Sequence, residues 1–199
     1  MFGGAFNPPH KGHERLLQAA IDALEPEVTV VLPTDSSPHK QNDNTKFVHR
    51  AFMARVFKKL GAVVVSEFEN QGRRRRNYTL QSIKRLQKKY PGFEICLLIG
   101  GDMLESFSEW SRFRRVLSKA FLVVAAREPE DSALLEAARR IERCGGRLLL
   151  LGFEPLVISS SEIRDMIGNR VDVSAYVDGD VLRYIEKHGL YRASIREGI

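Results

Sequence analysis

The chain has 199 residues, 43% of them hydrophobic and 28% charged, enough for one domain with a substantial core and unlike the composition of a disordered chain. No apolar run approaches the ~20 residues of a membrane helix and nothing resembles a signal peptide. The two cysteines, Cys96 and Cys144, are too few for a disulfide framework or zinc cage and point to a reducing cytoplasm. A net charge of +6 and a pI near 9.5 leave three polyanionic partners open: nucleic acid, acidic lipid or nucleotide phosphates.

In chain order, short apolar runs alternate with amphipathic stretches. Only Met1 and Phe2 precede Gly3-Gly4, so a first strand is a stub of the usual ~5 residues and an upstream start is expected. A helix over residues 13–24 follows, with Leu16, Leu17, Ala20, Ile21 and Leu24 on one face, then a strand over 28–32. A second helix is expected over 45–60, burying Val48, Phe52, Val56 and Leu60 and ending at Gly61. Strand 62–68, helix 79–90, strands 93–99 and 120–126, helix 132–144 closed by Gly145, and strand 147–153 complete the alternation. Helices over 160–167 and 178–187 end the chain. Repeated βα units with strands apolar throughout predict an α/β fold, a doubly wound, mainly parallel sheet covered by helices on both faces. No repeat or linker divides it, so residues 1–199 are expected to form a single domain with a small helical part from about 160.

The densest chemical signal is Gly3-Gly4-Ala5-Phe6-Asn7-Pro8-Pro9-His10-Lys11-Gly12-His13, opening directly into the first helix. The glycines let a ligand approach the backbone, the prolines stiffen the turn, and both histidines converge on a helix N-terminus suited to a phosphate. No third ligand accompanies the histidines to make a zinc site. A second helix start, at Ser159-Ser160-Ser161-Glu162-Ile163-Arg164, pairs N-capping hydroxyls with an arginine able to reach a phosphate. On their own residues, Ser159 and Ser160 are also ordinary N-caps. Asp102 either caps a helix over 103–107 or contacts a ligand, and Trp110 is either core or a stacking platform. His49 and His188 fall in helical contexts and are expected to be structural or exposed.

The N-terminal string resembles the HxGH signature of the nucleotidyltransferase superfamily. Four further segments resemble those of bacterial nicotinate-nucleotide adenylyltransferases: Leu32-Pro33-Thr34-Asp35-Ser36-Ser37-Pro38-His39-Lys40, Tyr78-Thr79-Leu80, Ile99-Gly100-Gly101-Asp102 with Trp110, and Ile158 through Arg164. The ending His188-Gly189-Leu190-Tyr191 is similar to theirs as well. Ala5 departs from the usual Thr or Ser, and Ser161 from Thr. The resemblance implies a Rossmann-like nucleotidyltransferase joining ATP to nicotinate mononucleotide, with Mg²⁺ arriving on the ATP. It implies His10, His13 and Arg164 as catalytic residues. ATP would be bound by Gly3, Gly4, Phe6, His10, His13, Gly100, Asp102, Ile158, Ser159, Ser160 and Arg164. The mononucleotide would be bound by Ala5, Lys40, Thr79, Trp110 and Arg127. Relatives acting on nicotinamide mononucleotide or another phosphorylated acceptor share the HxGH element. A basic nucleic-acid-binding protein would account for the arginine run Arg73, Arg74, Arg75 and Arg76, which otherwise reads as a solvated loop, but not for the two helix starts.

Overall fold

The computed structural model describes residues 1–34, 45–67 and 79–192. Lys40, Tyr78 and the arginine run 73–76 lie outside them. Six parallel strands form one sheet in the order β3-β2-β1-β4-β5-β6. They are β1 Phe2–Gly4, β2 Thr29–Pro33, β3 Val63–Val65, β4 Cys96–Gly100, β5 Phe121–Ala126 and β6 Leu148–Gly152. The helices are α1 Lys11–Leu24, α2 Phe47–Met53, α3 Thr79–Lys89, α4 Gly101–Glu105, α5 Phe113–Leu117, α6 Ser132–Arg143, α7 Ser160–Gly168 and α8 Gly179–His188. Parallel pairing demands a crossover after each strand, and the crossovers lay helices on both faces. Two core clusters result. Val30, Leu32, Leu97, Ile99, Leu122 and Val124 point to one face, where α3 to α6 pack. Phe2, Val31, Leu98, Val123 and Ala125 point to the other, under α1, α2, α7 and α8. Full burial of each large side chain contributes about 1.5–3 kcal/mol.

The second helix departs from expectation. α2 gives way at Ala54 to a 3-10 segment, Ala54–Leu60, and the buried face is Phe47, Arg50, Ala51, Met53, Ala54, Val56 and Phe57. Val48 is 59% and Phe52 45% exposed. The Val48 and Phe52 part of the expected face is therefore turned outward, while Val56 is buried and Leu60 packs half-buried against the core as expected; Phe52 stacks on Tyr184 of α8 (ring centroids 4.3 Å apart), and the Arg55 guanidinium lies 5.1 Å from its ring. α4 overlaps the helix considered over 103–107 but starts two residues earlier, while α5 and the 3-10 turn Phe107–Glu109 were not expected as separate elements. Gly100, not Asp102, occupies the N-cap of α4.

β1 is as short as its sequence requires. It pairs with β2 over three residues and with β4 only at Phe2 opposite Leu98, whereas β4 and β5 pair over five. Beside its start, at the amino edge of the sheet, lies a cavity of about 730 Å³ lined in part by Met1, Val28, Val30, Tyr90, Ile95 and Cys96. The Met1 α-ammonium sits inside the sheet, donates to the Cys96 carbonyl at 2.5 Å, and is pushed by burial from 8.0 down to about 6. The unfolded chain holds that proton up to about pH 8 and the folded chain only to about pH 6. The charged form thus opposes folding by about 2–3 kcal/mol below this window, and stability rises as pH climbs through it. An added N-terminal extension of about five apolar residues turns the amine into a neutral ladder amide and fills the cavity. The melting temperature is expected to rise by several degrees, more at pH 6 than at pH 8.5; equal melting at both pH values would count against the slot as a strand position.

Candidate functional site

The strand order reverses between β1 and β4, and in an open parallel sheet the crevice at such a switch point, beyond the carboxyl ends of the strands, receives ligands. With Phe2 opposite Leu98, Gly4 and Gly100, each two residues on, end their strands at the same level. The loop from Ala5 to His10 and the start of α4 therefore flank one crevice. The cavity beside Met1 is at the opposite edge and belongs to packing, not to this site.

The loop is held by its own side chains. Phe6 is 1% exposed and adopts a left-handed φ of 48°, an uncommon conformation for a bulky residue that the surrounding packing must sustain. Its ring packs edge-on against His13 (5.3 Å) and Phe57 (5.1 Å). A Cβ on Gly4 would lie 2.8 Å from that ring, so any side chain there dislodges the support of His13. His10 is the N-cap of α1 and only 6% exposed; its ring lies 3.7 Å from that of His13. His13 Nδ1 accepts the backbone N–H of His10 at 3.3 Å, which places the ring proton on Nε2, a donor suited to a phosphate oxygen. A Cβ on Gly12 would meet the His10 ring at 3.0 Å and the Leu156 carbonyl at 3.1 Å. Glycine is thus needed where the 153–159 segment crosses α1.

That crossing brings the start of α7 onto the loop. Ser160 Oγ donates to the Pro8 carbonyl at 2.9 Å, and Arg164 donates to the Asn7 carbonyl at 2.8 Å and to Ser161 Oγ at 3.2 Å. Ser159 is the N-cap of α7: its Oγ accepts the Glu162 N–H while Glu162 accepts the Ser159 N–H. Hydrogen bonding from Ser159, first from its side chain and then from its backbone N–H, holds the Glu162 carboxyl below the usual carboxylate range. The serine pair therefore divides, Ser159 capping its own helix and Ser160 tethering the loop. Tyr191 adds a third tie, donating from its hydroxyl to Asn7 Oδ1 at 2.6 Å. The first turns of α1 and α7, with His13 and Arg164, thus lie side by side, and both positive helix ends suit the same polyphosphate.

Around this centre, Asp102 is exposed in the first turn of α4, and a Cβ on Gly100 would stand 2.6 Å from its Oδ1; the carboxylate folds back over the strand end. Thr79 opens α3. Trp110 is half-buried and stacks on Phe107 with centroids 4.8 Å apart, so one part of the ring is already committed to the core. Arg127 is exposed just beyond β5, with the adjacent Glu128 carboxylate 3.9 Å from its Nε. Ile158 is half-buried against the core cluster under α1 and α7. Lys40 lies outside the described residues. Sequence reasoning passed over Arg50 and gave Asn7 and Tyr191 no role. The face 47, 50, 51, 54, 57, apolar but for one arginine, is the signal that singles out Arg50. Among the described residues no group of three His, Cys, Asp or Glu side chains could hold a metal ion.

The cytidylyltransferase-like family model matches residues 1–166. A probable nicotinate-nucleotide adenylyltransferase of Albidiferax ferrireducens is 30% identical over 201 residues, covering 98% of both chains. The chain belongs to the nicotinate-nucleotide adenylyltransferase family. A probable member from Clostridium tetani is 26% identical over 196 residues, covering 96% of this chain and 98% of the relative. Among solved structures, Plasmodium falciparum nicotinic acid mononucleotide adenylyltransferase complexed with NaAD superimposes with a TM-score of 0.76 at 18% identity, over 96% of this chain and 95% of that one. At that identity the superposition speaks for the fold, a six-stranded parallel sheet of nucleotidyltransferase type.

Proposed function

We propose that this enzyme transfers the adenylyl group of ATP to nicotinate mononucleotide, giving nicotinate adenine dinucleotide (deamido-NAD) and pyrophosphate in NAD biosynthesis. The observation that carries this reading is the junction of two helix N-termini, with His13 and Arg164, over one glycine-lined crevice in a chain of this family. A phosphate monoester is largely ionised at neutral pH, so no base is needed to create the nucleophile. Its oxygen attacks the α-phosphorus of ATP; the bond from that phosphorus to the bridging oxygen breaks, and its electron pair leaves with pyrophosphate. Catalysis then lies in holding the two substrates in line and stabilising charge on the departing oxygens. His10, His13 Nε2–H and the α1 N-terminus serve the phosphates from one side and Arg164 from the other. Mg²⁺ enters as the metal complex of ATP.

In this reading Gly3, Gly4, Phe6, Gly100, Asp102, Ile158, Ser159 and Ser160 form the ATP side of the crevice. Ala5, Lys40, Thr79, Trp110 and Arg127 form the mononucleotide side. Residues 1–199 act as one domain whose small helical part, from about 160, contributes Ser160, Arg164 and Tyr191 to the loop. The cytoplasm is the expected compartment; among the described residues no helix is long and apolar enough to cross a membrane. A coupled pyrophosphate-release assay with ATP and a panel of mononucleotides tests the proposal, and absence of turnover with every pyridine mononucleotide would overturn it. The nucleic-acid alternative has its own test. Changing Arg74 and Arg75 to Ser is expected to leave ATP affinity within about twofold; loss of tight, steeply salt-dependent nucleic-acid binding would instead favour that alternative.

A further inference from the structure

Arg50 is a charged side chain inside the core, 6% exposed on the inner face of α2. Its Nη1 donates to the Ala5 carbonyl at 2.8 Å and to the Thr34 carbonyl at 2.6 Å, and its Nε to the Thr45 carbonyl at 3.4 Å. The Phe47 ring lies 5.6 Å from the guanidinium carbon. These three carbonyls have separate origins. Ala5 begins the loop after β1, Thr34 follows β2, and Thr45 immediately precedes α2. The Thr34 N–H also donates to the Gly4 carbonyl at 2.9 Å. One planar fork therefore ties the glycine loop to both flanks of the segment 35–44. Only arginine presents donors in a fixed plane that can serve several carbonyls at once; a lysine ammonium is a single point on a flexible stem. Burying a guanidinium is costly unless it is hydrogen-bonded, so its presence indicates that this tie serves a purpose beyond filling the core.

We infer that Arg50 is a positioning residue for the mononucleotide: without touching substrate, it fixes Ala5 and the two flanks of the segment that carries Lys40. This rests on the assignment of Ala5 and Lys40 to the mononucleotide side made above. The Ala5, Thr34 and Thr45 carbonyls that Arg50 holds belong to Ala5 and to the flanks of the Lys40 segment, the mononucleotide side of that assignment, so its loss should be felt more by that substrate than by ATP. Steady-state kinetics of Arg50→Gln and Arg50→Lys, with Lys40→Ala as reference and thermal melting of each, test it. KM for nicotinate mononucleotide is expected to rise by about tenfold or more in Arg50→Gln and by less in Arg50→Lys, with KM for ATP within about twofold in both. An unchanged mononucleotide KM in Arg50→Lys and Arg50→Gln, alongside a raised one in Lys40→Ala, would overturn the role of Arg50. Equal rises for both substrates would do the same, by showing general disorder of the fold. An unchanged value in all three variants would overturn both the inference and the assignment of this side. If Arg50→Gln does not fold, Arg50→Lys decides by the same criterion.

Discussion

Replacing His13 with Ala is expected to lower turnover by roughly a hundredfold or more, the usual scale for losing one preorganised donor to charge that develops in the transition state. The geometry assigns this residue two roles that must be separated. Its Nδ1 accepts the His10 N–H and so closes the first turn of α1, while the proposed reaction assigns its Nε2–H to phosphate. Losing the first role costs about 1 kcal/mol of stability, as for other caps; losing the second costs turnover. His13→Asn distinguishes them, because the amide oxygen reaches the position of Nδ1 but nothing replaces Nε2–H. The expected pair of results is a melting temperature near that of the parent for His13→Asn with turnover as poor as that of His13→Ala. A folded His13→Asn protein with near-normal turnover would reduce His13 to a helix cap and remove it from the catalytic machinery.

What the sequence revealed of this site follows from how local each feature is. The αβ alternation and all five strands after β1 were legible because parallel strands, apolar on both sides, stand out as short runs of Val, Ile and Leu. Their ends shifted by a residue or more: strand 62–68 contracts to Val63–Val65 and strand 93–99 begins at Cys96. Pairing partners rather than composition decide where a ladder stops. The loop from Gly3 to His13 was legible because glycines, prolines and histidines crowd one turn. Helices of five residues, such as α4 and α5, are too brief to display a period. The second helix misled for a different reason. Val48, Phe52 and Val56 keep helical spacing, but the neighbouring face of Phe47, Ala51, Ala54 and Phe57 does too, and only tertiary contact selects between them. An arginine on the chosen face counts as a polar position in any periodic reading, which is why Arg50 was passed over. The ties from Ser160, Arg164 and Tyr191 to Asn7 and Pro8 span more than 150 residues of sequence. No local pattern carries them.

Nicotinate mononucleotide is expected to be used at least tenfold more efficiently than nicotinamide mononucleotide, a difference of about 1.4 kcal/mol in transition-state binding. The acid carries a carboxylate where the amide carries a neutral group with an NH₂. A pocket presenting two backbone N–H groups accepts both carboxylate oxygens but meets the amide nitrogen donor to donor. One donor left unpaired costs about 1–3 kcal/mol, and bonds to the charged acid are stronger than those to the neutral amide. The loop from Tyr78-Thr79, which leads into α3, and the segment around Trp110 are the expected sources of these donors. The structure narrows the choice: the Trp110 N–H already donates to the Phe107 carbonyl at 3.1 Å, and the Glu109 N–H to that of Ser106 at 3.0 Å. The first turn of α3 retains the N–H groups that every helix start leaves without an intrahelical acceptor. It contains no acidic residue, and Lys88 and Lys89 occupy the last turn of the helix, so among the described residues of α3 no side chain at its positive end competes with a carboxylate. In the proposed pocket Trp110 would supply ring contact alone. Trp110→Ala should therefore weaken both substrates by similar factors and leave the acid preference largely intact. Thr79→Pro removes one such N–H at the first position of α3, where a helix tolerates proline, and should narrow the preference. Equal kcat/KM for the two mononucleotides in the parent enzyme would refute the donor pair and define an enzyme of dual specificity. A preference abolished by Trp110→Ala would instead place acid recognition on the tryptophan segment.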